Sequence, residues 1–255
     1  MQRRTGRRDV VPVVRDGAGG QPAVGFGYGH PPPRAARPHH RQRRRPARRT
    51  HPGVELDGVG RDQVARTAER LAGIPLTAVV SSPLVRCRQT ADAIIGRQSG
   101  PLATPVDDAI TECDYGDWQG RALGDLAREA LWSVVQAQPS AVVFPGGESM
   151  TTMQSRAVEA VRRRDAEIEA EHGAGAVWVA VSHGDIIKAV LADALGMHLD
   201  LFQRISVGPA SVSIVRYGDH RPDVVATNTD SGDLSWLRAS GPTADAPVGG
   251  GAGHA

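Results

Sequence analysis

Residues 76–95 read LTAVVSSPLVRCRQTADAII, and residues 176–195 read AVWVAVSHGDIIKAVLADAL. Each opens with a short apolar run rich in valine, passes through a few small or polar residues, and continues with apolar positions at helical spacing. That pattern is strand, loop, helix, and it occurs twice. Leu76–Ser82 is short, β-branched and mostly apolar, and Ala176–Val181 is apolar, so both are expected as buried strands. Working outward, Val64, Ala68 and Leu71 share a helical face in Asp57–Ala72. Leu84–Ile95, Leu123–Gln138, Ser149–His172 and Asp185–Leu195 read as further helices, and Ser211–Tyr217 and Val224–Thr227 as closing strands. The expected fold is α/β, a three-layer α/β/α arrangement with a mainly parallel sheet. Ligands in such folds bind beyond the carboxyl ends of the strands.

Flanking composition sets the boundaries. Residues 1–52 hold 13 Arg against Asp9 and Asp16, a formal +11, so the remainder carries −9 in a chain whose total is +2. This arm has Pro31–Pro33, the run Arg43–Arg45 and few large aliphatics. It cannot bury enough surface to offset the entropy of ordering, and no independent fold is expected there. The globular domain spans residues 53–238, and residues 239–255, rich in Gly, Pro and Ala, read as a disordered tail. No run of about 18 apolar residues suggests a membrane span. Arg3, Arg4, Arg7 and Arg8 are followed by a short valine-rich patch broken by Pro12, with no cleavage site, so the cytoplasm is the expected location. Cys87 and Cys113 are too few for a disulfide framework or a cysteine-based zinc site.

Three constellations carry chemistry. Ser81-Ser82-Pro83-Leu84-Val85-Arg86 brings a guanidinium to the first turn of a helix, where free N–H groups and the helix dipole favour an anion. A guanidinium grips phosphate through two parallel hydrogen bonds. Val181-Ser182-His183-Gly184-Asp185 places an imidazole at the end of a buried strand, with a glycine that permits close approach of a ligand. A doubly protonated His183 would stabilise a transferring phosphoryl group. Glu112-Cys113-Asp114-Tyr115-Gly116-Asp117-Trp118-Gln119-Gly120 puts an acid in a glycine- and aromatic-containing loop, where Glu112 could donate a proton to a leaving oxygen and later accept one from water. Singly, each has an ordinary alternative: a solvated helix arginine, a structural histidine, an acidic loop.

In this order within one domain, the three elements resemble the histidine phosphatase superfamily, also called phosphoglycerate-mutase-like, and in particular a short actinobacterial branch of phosphomutases and phosphatases. The resemblance implies that Arg86 binds phosphate, that Glu112 is the proton donor and that His183 is the second active-site histidine. Phe144-Pro145-Gly146-Gly147-Glu148-Ser149 is similar to the family's P-G-G-E-S element, which opens the helix carrying Arg156. No metal or other cofactor is implied, and the implied partner is a small phosphorylated substrate. Neither the substrate nor the oligomeric state is legible.

One family residue is missing. Its nucleophile is the histidine of an R-H-G motif at the end of the central first strand, and no R-H-G occurs in this chain. Val13-Val14-Arg15-Asp16-Gly17 is the nearest imitation, but Asp16 lies 39 positions before Glu55, about twice the family's distance. Val10–Val14 is the only substitute for the first strand. Read one base later, the codons of Tyr28–Pro52 permit MVILLLVRHGRTTAN, then, after the three residues read from Arg43–Arg45, LLAGRTP, which joins Gly53-Val54-Glu55-Leu56-Asp57. The sequence therefore predicts a frame error upstream of Gly53, a phosphatase or phosphomutase in the intact form, and a catalytically dead phosphate-binding protein in the chain as written. A third expectation takes the basic arm at face value as a nucleic-acid-binding tail, although it lacks interleaved aromatics.

Overall fold

The two apolar runs lie side by side. In the computed structural model, which describes residues 9–15 (backbone only), 53–100, 102–218 and 220–230, Ala78–Ser81 forms β2 and Trp178–Ser182 forms β3, paired in parallel. Strand β1 is Asp9–Arg15, β4 is Val212–Tyr217 and β5 is Asp223–Thr229, and the sheet order is β2-β3-β1-β4-β5. The pairings are parallel except that β4 is antiparallel to both β1 and β5, so four of the five strands point one way.

Alternation along the strands builds the layers. Val79, Val179 and Val181 face one side, packed with Ala68 and Leu71 of α1 (Gly58–Leu71) and with Cys87, Ala91 and Ile94 of α2 (Val85–Ile95). Ala78, Val80, Trp178 and Ala180 face the other side. They pack there against α5 (Met150–His172), α6 (Gly184–Ala194) and the loops between α2 and α5. This is the expected three-layer α/β/α fold. Helix starts follow local chemistry. The Asp57 carboxylate accepts from Gly60 N–H at 2.7 Å, and Ser149 Oγ accepts from Thr152 N–H at 3.0 Å. Pro83 stands before the start of α2, whose N-cap is Leu84, rather than in its first turn.

Residues 123–138 do not form the single helix expected. They divide into α3 (Leu123–Leu126) and α4 (Ala130–Ala137), with Glu129 in extended conformation between them. Leu126 and Val135 are both buried, yet nine residues at roughly 100° each would set them on opposite faces of one continuous helix. The break lets both turn inward.

Strand β1 occupies the central place that the sequence left to Val10–Val14 alone. It pairs with β4 from Asp9 to Val14, but with β3 only over Val13–Arg15, immediately after Pro12. Proline cannot donate to a ladder and is rare inside central strands. The central strand is thus poorly suited to its position. Asp16, the rest of the basic arm and the tail from residue 231 lie outside the described residues, as do the expectations made for them.

Candidate functional site

Strands β2 and β3 end level with each other, since Ser82 N–H donates to Val181 O at 3.0 Å. The residues that follow converge. Arg86, second residue of α2, is 2% exposed, and His183, N-cap of α6, is 1% exposed. Arg86 Nη2 lies 3.0 Å from His183 Nδ1, and Ser82 Oγ lies 2.7 Å from His183 Nε2. A guanidinium can only donate, so Nδ1 accepts, and the ring proton sits on Nε2, donated to Ser82. The doubly protonated ring expected from the sequence requires Arg86 to turn away from Nδ1. Cys87 Sγ, 3.5 Å from Nε2, closes the side of the ring towards α2.

Glu112 arrives from a different part of the chain and is 3% exposed. Two anchors bring its loop to the ends of the strands. Ser182 Oγ donates to Ile110 O at 2.7 Å, joining the residue before His183 to the backbone two residues before Glu112. Tyr115 Oη donates to Asp185 Oδ2 at 2.7 Å, joining the far side of the loop to the first turn of α6. The loop is also knitted to the turn at residues 144–148: Asp117 N–H donates to Pro145 O at 2.8 Å, and Glu148 N–H donates to Asp114 O at 3.0 Å. Only glycine fits this seam. A Cβ on Gly116, at φ +50°, would lie 2.2 Å from Pro145 O, and one on Gly147 would lie 2.2 Å from Asp114 O.

Arg156 clamps the segment from behind. Its Nη1 donates to Ala109 O at 2.7 Å and Thr111 O at 2.8 Å, and its Nη2 to Glu112 O at 3.3 Å. Nε and Nη2 also fork onto the Glu148 carboxylate at 2.9 and 2.5 Å. Burial alone would lower the Arg156 pKa, but the hydrogen bonds and charge of Glu148 outweigh it and raise the value. Burial, then the charges of Glu112 and Asp185, pushes the Cys113 thiol far above its ordinary range, so it stays protonated. Burial, followed by the charge of Asp185, does the same for Tyr115 and keeps its hydroxyl a donor.

The structure thus brings Arg86 and His183 into contact and sets the Glu112 loop beside them. It also shows partners that sequence reading left without roles: Ser82 on the imidazole, Arg156 and Glu148 behind Glu112, and Tyr115 on Asp185. The sequence signal for the last was a charged pair, Asp185 and Lys188, inside an otherwise apolar helix. Among the described residues no second histidine reaches the site. His172 precedes the amino end of β3, His198 follows α6, and His220 lies in the turn from β4 to β5, all exposed and at the opposite end of the strands from the site.

A family model described as histidine phosphatase superfamily (branch 1) matches residues 34–230. A bifunctional protein of Mycobacterium tuberculosis is 35% identical over 181 residues, covering 69% of this chain and 46% of the relative. The chain thus spans about half the length of that relative. A glucosyl-3-phosphoglycerate phosphatase of Mycolicibacterium vanbaalenii is 30% identical over 170 residues, covering 66% of this chain and 74% of the relative. Among solved structures, a mycobacterial glucosyl-3-phosphoglycerate phosphatase superposes with a TM-score of 0.67 at 22% identity, covering 88% of this chain and 100% of the other.

Proposed function

Because the chain belongs to the histidine phosphatase superfamily (branch 1), we propose that its site is built for phosphomonoester hydrolysis through a phosphohistidine, and that the chain as written holds every part of it except the nucleophile. The reading rests on one observation. Arg86 and His183, from two different strand ends, meet at 3.0 Å in a buried position beside the Glu112 loop. A guanidinium and an imidazole converging at the carboxyl ends of two parallel strands, one of them at the start of a helix, suit the binding of an oxyanion.

The chemistry follows from the groups. In the intact form a neutral imidazole nitrogen attacks phosphorus and the ester P–O bond breaks. Glu112 gives its proton to the departing oxygen, a contribution generally worth about 10² to 10⁴ in rate. Water then attacks phosphorus while Glu112 takes its proton, the P–N bond breaks to return the neutral imidazole, and inorganic phosphate leaves. Arg86 and His183 stabilise the equatorial oxygens in both steps. The central strand supports the position of the missing group: Arg15, its last residue, pairs with Ser182, the residue before His183. The short covering segment between Gly120 and Phe144 favours a phosphatase over a mutase, since the sugar-phosphate mutases the sequence resembles carry a longer insertion there. Simple phosphomonoesters and phosphorylated sugar acids of the kind named for its mycobacterial relative are the substrates to assay.

The absence of a nucleophilic histidine favours a second reading for the literal chain, a pseudophosphatase that binds phosphate without turning it over. One pair of proteins tests both. The chain as written should bind phosphate and show no hydrolysis of p-nitrophenyl phosphate, while a chain carrying the shifted-frame R-H-G segment should hydrolyse it. Hydrolysis by the chain as written that survives Asp16→Ala and disappears in His183→Ala would contradict the account.

A further inference from the structure

Helix α6 carries a charged pair for which the chemistry above has no use. Asp185 is fully buried and Lys188 is 1% exposed by side chain, in a helix whose remaining inward positions are Ile, Val, Leu and Ala. Such a pair is weak ground for stability, because apolar residues of the same volume often serve as well or better. The geometry suggests another reason for it. Asp185 uses its two oxygens differently: Oδ2 accepts from Tyr115 Oη at 2.7 Å, whereas Oδ1 faces Lys188 Nζ at 3.9 Å. Lys188 donates to Gln203 Oε1 at 2.9 Å and lies 5.6 Å from the centre of the Phe202 ring. The ammonium therefore balances the charge of Asp185, and the directional bond goes to Tyr115.

Tyr115 lies three residues after Glu112, and Asp185 two residues after His183. The tyrosine ring is fixed edge-on against Phe144 at 5.1 Å, so its hydroxyl has little freedom. We propose that Asp185, acting through the Tyr115 hydroxyl, is a positioning residue that sets the proton-donor loop of Glu112 against the His183 end of α6. The proposal deepens the phosphatase reading and rests on it for the role of Glu112. Asp185 touches no reacting atom. It fixes the distance between two groups that do.

Tyr115→Phe is the clean perturbation, since it removes one hydroxyl and keeps the ring, with Asp185 still facing Lys188. In the full chain, Cys113 beside Glu112 and Cys87 on α2 are two buried thiols that report on the loop and on the body. Peptide-resolved labelling with iodoacetamide should show Cys113 reacting about ten-fold faster or more in Tyr115→Phe, with Cys87 unchanged. In the protein carrying R-H-G, the same substitution should slow turnover of glycerol phosphate by about ten-fold more than turnover of p-nitrophenyl phosphate, because only the poor leaving group needs the proton. KM should hold for both. Equal slowing of the two substrates, Cys113 labelling within two-fold of the parent, or a parallel rise at Cys87 would overturn the proposal. If the restored protein is inactive, the phosphatase reading fails, and the thiol pattern alone still decides whether the tether exists.

Discussion

Replacing Arg156 by alanine should loosen the segment that carries Glu112 and lower the stability of the whole domain. The guanidinium holds the carbonyls of Ala109, Thr111 and Glu112 together with the Glu148 carboxylate. A hydrogen bond to a charged group contributes about 1.5–3 kcal/mol, but bonds that share one guanidinium do not add. Arg156 and Glu148 keep 24% and 17% side-chain exposure, so water replaces part of what is lost. A loss of about 2–4 kcal/mol follows, less than for a fully buried pair. For a domain of this size that lowers Tm by about 4–16 °C. Arg156→Lys keeps a charge beside Glu148 but cannot fork onto the carboxylate and reach the carbonyls together, so it should fall between parent and alanine. Thermal unfolding gives the size, and amide hydrogen exchange over Cys113–Trp118 gives the place. A Tm within 2 °C of the parent (about 0.5 kcal/mol), with unchanged exchange in that loop, would refute the clamp.

Gly147→Ala should cost about 3 kcal/mol or more in denaturant unfolding, because its Cβ meets backbone rather than a movable side chain. Gly58→Ala, which meets nothing within 4 Å, should fall within about 1 kcal/mol of the parent and serves as the control. Arg86→Lys should weaken phosphate binding about ten-fold or more by calorimetry, since an ammonium cannot make the two parallel bonds. Burial raises the Asp200 pKa, but the hydrogen bonds from Ser140 and the nearby His198 outweigh it and lower the value in the folded state. A depressed folded pKa stabilises above the unfolded value and is lost as pH falls through the folded one. The stability gap between parent and Asp200→Asn should therefore be present at neutral pH and close below the ordinary aspartate range, as read from unfolding midpoints across pH.

Much of the fold is legible because its signals are local. Ala78–Val80 and Ala176–Val181 are apolar throughout, and the helices after them repeat apolar residues at the right interval, so strand, loop and helix follow from periodicity. Arg86 and His183 are legible for the same reason, being the first ionisable residues past each strand. The break between Leu126 and Ala130 is not, because only the tertiary requirement that Leu126 and Val135 both turn inward reveals it. The Arg156 clamp is equally hidden: its partners are backbone carbonyls more than 40 residues away, and carbonyls have no sequence signature. Val10–Val14 was the one segment able to fill the centre of the sheet, and β1 does fill it, with Pro12 limiting its pairing to β3. The shifted frame would put seven residues, MVILLLV, in front of R-H-G, a run with no proline and every position apolar. Such a run should displace Asp9–Arg15 from the centre.

Phosphoenzyme labelling tests the central claim most directly. After brief incubation with a ³²P-labelled phosphomonoester and denaturing quench, the chain carrying the shifted-frame segment should retain acid-labile, alkali-stable label on the histidine between Arg and Gly. The chain as written should retain none. Label on the chain as written, or its absence from the restored chain while Arg86 and His183 still bind phosphate, would contradict the claim that this site lacks only its nucleophile.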